Sequence, residues 1–73
     1  MKLIIESTSK TVTLNGVPAR IWEGQTESGI PVHCYVTRVC VREDQDCTQF
    51  EKELVEHRQP SAEVAAIPMR MIL

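Results

Sequence analysis

Arg20, Arg38, Arg42 and Arg70 lie in or beside stretches that alternate apolar and polar residues, whereas Arg58 falls in a helical pattern. A guanidinium carries a rigid fork of donors that matches phosphate or carboxylate. Trp22 and Tyr35 offer ring faces on which a flat base or a cation can stack. Strand alternation predicts one polar sheet face carrying Thr11, Thr13, Arg20, Trp22, His33, Tyr35, Thr37 and Arg70. The expected ligand site is Arg20, Trp22, His33, Tyr35, Thr37 and Arg70. Arg20 and Arg70 would hold phosphate there, and Trp22 or Tyr35 would stack. The solvent face of any half-buried antiparallel sheet is also rich in Thr and Arg, so an ordinary solvated or subunit-facing surface stays open beside the ligand site.

Other chemistry finds less support. Cys34, Cys40 and Cys47 are separated by five and six residues, without the close pairs of a structural zinc site. No metal and no cofactor are expected, and Cys34 and Cys47 read as small core residues. His33 and Cys34 are neighbours on a strand and point to opposite faces, so they cannot form a nucleophilic dyad. His57 and Cys47 are separated by nearly three helical turns. No phosphate-cradling Gly-rich loop, G-x-S-x-G or H-E-x-x-H occurs. No catalytic residue is assigned, and an enzyme is not expected.

The elements that position these residues follow from periodicity. Leu3-Ile4-Ile5 is a short apolar start and Ser7-Thr8-Ser9 a polar turn. Thr11 to Leu14 and Val17 to Trp22 alternate around Asn15-Gly16, the strongest short hairpin signal. A two-residue turn fixes the pairing as Leu14 with Val17, Val12 with Ala19 and Lys10 with Ile21. Pro18 then falls in a non-hydrogen-bonded pair with Thr13, and its missing N–H points away from the hairpin to a side expected to be unpaired. Gly24 to Gly29 is a polar turn. Ile30 to Val41 is one long strand whose apolar parity flips near Thr37, predicting a bulge or a change of packing environment.

Asp46 opens a helix as its N-cap, with Gln49 completing a capping-box variant. Cys47, Phe50 and Leu54 mark its apolar stripe, and it runs to about Arg58, short of Pro60. Val64 to Leu73 reads as a final strand. The fold class is therefore α+β: one domain over residues 1–73, an antiparallel sheet of about four to five strands in ββββαβ order, with one helix packed on one face. Met69, Met71, Ile72 and Leu73 form an apolar end that needs cover, and are assigned to an oligomer interface.

A chain of 73 residues is one small domain, and domains this small often need a partner chain. The net charge of −2 gives no general attraction to nucleic acid, so nucleic-acid binding is disfavoured. No run approaches a membrane span. Met1 to Ile5 breaks at Glu6, too short for a signal peptide, so a cytoplasmic location with reduced thiols is expected.

The stretch Asn15-Gly16-Val17-Pro18-Ala19-Arg20-Ile21-Trp22-Glu23-Gly24, followed by Ser28-Gly29-Ile30-Pro31-Val32-His33, resembles short uncharacterised proteins of tailed phages and prophages. So does Pro60-Ser61-Ala62-Glu63-Val64-Ala65-Ala66-Ile67-Pro68. The resemblance implies an accessory protein in an infected or lysogenic bacterial cell that counters host defence. It could do so by sequestering a nucleotide-like immune signal as a homo-oligomer, or by plugging a host protein through the exposed sheet face or the acidic helix. It carries over no functional residue.

Overall fold

The computed structural model describes residues 1–71, with the backbone alone at Met71. Strand β1 (Leu3–Leu14) and strand β2 (Val17–Thr26) form the hairpin that Asn15-Gly16 predicts. Asn15 and Gly16 take φ values of 51° and 85°, the left-handed pair a type I′ turn requires. Leu14 pairs with Val17, Thr13 with Pro18 and Val12 with Ala19, as the turn dictates. Strand β3 (Pro31–Val36) runs antiparallel to β2 and stops at the Arg20–Val36 pair. It therefore leaves the far side of Pro18 unpaired, where an N–H is missing.

Ser7-Thr8-Ser9 is no turn. It lies inside β1, at an irregularity where Ser7 pairs with Trp22 and Thr11 with Arg20. Thr8, Ser9 and Lys10 thus stand opposite Ile21 alone, and the expected Lys10–Ile21 pairing does not form. Thr8 explains why the insertion is stable. Its side chain is 0% exposed, and its hydroxyl donates to the Ile21 carbonyl at 2.7 Å. A polar group this deep needs its partner, and the insertion needs a donor for that carbonyl. β2 also continues through Gly24 to Thr26, past the expected end at Trp22. A Cβ at Gly24 would lie 1.9 Å from the Ile4 carbonyl oxygen, so only glycine lets β1 pass.

After β3 the chain bends at Thr37, and residues 38–42 have no regular structure, so the long strand expected to Val41 ends at Val36. The parity flip marks that end. Helix α1 (Cys47–Leu54) opens on Asp46, whose carboxylate accepts the Thr48 N–H at 2.9 Å. It ends before the predicted Arg58 because Arg58 is drawn into an isolated bridge with Thr8: Ser9 N–H donates to the Arg58 carbonyl, and Arg58 N–H to that of Ser7.

Helix α2 (Ala62–Ala65) occupies the start of the stretch expected as a final strand. Only Arg70–Met71 is strand, β4, and it pairs with β1 in parallel. The order along the chain is βββααβ, and the sheet order is β3-β2-β1-β4. The α+β class holds; the antiparallel part has three strands, and the fourth strand is short and parallel.

The core comprises Val12, Ala19, Ile21 and Val64, with Leu14, Tyr35 and Ile67 packed around it. The expected single covering helix is corrected here: α2 supplies Val64 to the core, and α1 has no buried residue. Among the described residues, no helix is long and apolar enough to cross a membrane.

Candidate functional site

β2 sends alternate side chains to opposite faces. Ala19 and Ile21 enter the core. Arg20 and Trp22 line an open cleft of about 460 Å³ on the other face. The β2–β3 register adds Val36, opposite Arg20, to the cleft, while Cys34, opposite Trp22, is not part of its lining. Thr37 and Arg38 line the cleft from the bend after β3, and Phe50, Glu53 and Leu54 close it from α1. The walls are thus mostly apolar, with the two arginines as the cationic groups. One Arg20 Nη donates to the Thr8 carbonyl at 2.9 Å, which fixes the guanidinium beside the β1 insertion. Its remaining donors are available to an anion. Trp22 offers a ring face and the two arginines offer cationic donors, with the Glu53 carboxylate on the same lining.

The structure divides the six predicted site residues. Arg20, Trp22 and Thr37 share the cleft. His33 and Tyr35 do not: they pair with Glu23 and Ile21, so they lie on the core face. Tyr35 packs against the core, and its hydroxyl lies 3.2 Å from His33 Nε2. Arg70 stands on β4 opposite Thr13, one strand beyond β1. Of the predicted oligomer residues, Met69 is 67% exposed and Met71 pairs through its backbone with Leu14. Ile72 and Leu73 lie outside the described residues.

Sequence reasoning missed Val36, Arg38, Phe50 and Leu54 as cleft residues. Phe50 and Leu54 were legible as one helical stripe, but they read as core. The signal for Val36 was its shared parity with Val32 and Cys34, an apolar set facing away from the core.

A second polar cluster sits on the core side. Both Glu23 carboxylate oxygens are engaged by Ser61: its hydroxyl donates to Oε1 at 2.6 Å and its backbone N–H to Oε2 at 2.9 Å. The Arg58 guanidinium lies 3.4 Å from the same carboxylate. The Ser61 bonds, with Arg58 and His33 adding less, hold the Glu23 carboxyl below its ordinary range against the opposing effect of burial. Ser61 also accepts the Val64 N–H at 3.3 Å as the cap of α2. Glu23 therefore clasps the start of the helix that delivers Val64. Among the described residues, no three His, Cys, Asp or Glu side chains converge as a metal set. No family model matches the chain, nor does any curated protein or solved structure.

Proposed function

We propose that this chain is a non-enzymatic binding protein that sequesters a nucleotide-like, phosphate-bearing small molecule in the Trp22 cleft, as a homo-oligomer. The observation that carries the reading is the cleft itself, where Trp22 and two arginines border one apolar hollow. With the phage-like wording of the sequence, the favoured role is that of an accessory protein countering host defence by removing a nucleotide immune signal. Exposed Met69, at the head of the apolar stretch Met69 to Leu73, supports assembly, and deletion of that stretch is expected to reduce the assembled mass.

Trp22 is the single tryptophan, so its emission reports the cleft directly. Titration with a panel of mono- and dinucleotides is expected to quench it saturably for at least one member. Arg38→Ala should weaken that binding while leaving the circular dichroism spectrum unchanged. Arg38 is the cleaner probe, because Arg20 also holds the Thr8 carbonyl. Absence of quenching across the panel would sink the nucleotide reading.

The second reading is a protein-binding inhibitor. It is favoured by the half-open apolar wall of Phe50, Val39 and Leu54 beside the charged Glu51, Lys52, Glu53 and Glu56 of the helical region. A stoichiometric host protein whose capture is abolished by Leu54→Asp would select it.

A further inference from the structure

We infer that the outer edge of β3 is a dimer interface, pairing with the same strand of a second copy across a two-fold axis at Cys34. β3 is the edge of the sheet, and among the described residues nothing pairs with its outer side. The orientation of that edge is fixed by the turn before it: Thr26 N–H donates to the Ile30 carbonyl. Ile30, Val32, Cys34 and Val36 therefore direct their backbone groups toward β2, and His33, Tyr35 and Thr37 direct theirs outward.

Monomeric proteins blunt such an edge with lysines, prolines, very short strands, inward charges, bulges or a covering loop. Val32-His33-Cys34-Tyr35-Val36 contains no Lys, Arg, Asp or Glu, and β3 pairs with β2 without a register shift. Only Pro31, at its first residue, withholds an N–H.

The exposed area leaves room for a second copy. The chain exposes 5759 Å². A folded monomer of 8.3 kDa exposes roughly 4,600 Å² by the usual scaling. The excess, about 1,200 Å², is more than the roughly 800 Å² that an ordinary interface removes from each partner. A core of four buried apolar side chains among the described residues fits a chain that completes its fold by association. A second copy supplies the same outward donors and acceptors, and a two-fold axis pairs them reciprocally.

One register uses the whole strand. His33 pairs with Tyr35 of the second copy and Tyr35 with its His33, while Pro31 accepts from Thr37 at each end. Cys34 then lies opposite Cys34, in the non-hydrogen-bonded position where Cα atoms are about 4.5 Å apart. That separation is within the span of a disulfide, roughly 4.4–6.8 Å. Val32 meets Val36 on the cleft face, so each copy extends the apolar wall beside the other's Trp22. The dimer forms with the cleft empty and does not depend on the ligand reading.

The test leaves Cys34 as the single thiol through Cys40→Ser and Cys47→Ser, both at exposed positions. A matched variant keeps Cys40 alone. Under diamide, which takes up the two thiol hydrogens, the Cys34 protein is expected to give a covalent dimer at least tenfold faster, although Cys34 is the less exposed thiol. His33→Pro removes an outward N–H and spares the bonds to β2, so it should halve the mass seen by sedimentation. Equal cross-linking rates for the two variants, or a monomer at every concentration of the parent protein, would overturn the interface. The Cys34 cross-link should also survive deletion of residues 71–73, which separates this interface from the one proposed at the C-terminal end.

Discussion

The two faces of β2 are covered by helices of unequal length, and the shorter helix covers better. α2 has four residues and delivers a buried valine; α1 has eight and buries none. Attachment accounts for the difference. α2 is held at its start by the Glu23–Ser61 bonds and at its end by Lys10, whose ammonium donates to the Ala65 carbonyl at 3.2 Å. Among the described residues, α1 is tethered to the sheet by hydrogen bonds beyond its last turn, where the Ser7 hydroxyl donates to the Glu56 carbonyl and Arg58 bridges Thr8. An isolated helix of eight residues is marginal in water, so its apolar stripe has to find cover or remain partly wet. Phe50 and Leu54 remain partly wet, and the hollow beneath them is the cleft. One face is closed over the core, and the other stays open as the cleft.

Three substitutions sharpen this contrast. The largest effect is expected on the closed face. Ile21 is 0% exposed, and Ile21→Ala should cost about 3–4 kcal/mol in a urea titration. A loss below about 1 kcal/mol would mean that the core is not where the burial places it.

An intermediate effect is expected at the clasp. The Glu23 carboxyl titrates lower in the folded chain than its ordinary 4.5. Its contribution is therefore full above that pH and is lost as pH falls through the folded value. Glu23→Gln should cost about 1–2 kcal/mol at neutral pH. It should also flatten the acid limb of the stability profile below pH 4.5, and an unchanged acid limb would show that the clasp adds no stability.

The smallest effect belongs to the open face. Leu54, 46% exposed, should tolerate alanine with a change near 0.5 kcal/mol. A loss approaching that of Ile21→Ala would mean that α1 packs onto the sheet in solution and the cleft is closed.

The hairpin was legible because Asn15-Gly16 favours one turn type, and that turn dictates every pair from Leu14–Val17 to Thr11–Arg20. The β1 insertion was not legible. Three small polar residues read as a turn, and what keeps them in the strand is a hydroxyl reaching a carbonyl thirteen positions away. The site was half legible for a related reason. Arg20 and Trp22 inherit their face from the hairpin, but the face of His33 and Tyr35 depends on how the loop returns after Thr26. Thr26 pairs with Ile30, which puts both rings on the side of Ile21. Their polar tips suggested an exposed surface, yet such tips can also sit at the rim of a core.

The parallel pairing of Thr13 with Arg70 governs the order in which the molecule assembles. The β1–β2 hairpin closes a two-residue loop and can nucleate early, whereas β4 must wait for nearly the whole chain to be gathered in. Until β4 arrives the β1 edge at Thr13 is bare, so the last strand acts as a latch on a sheet already in place.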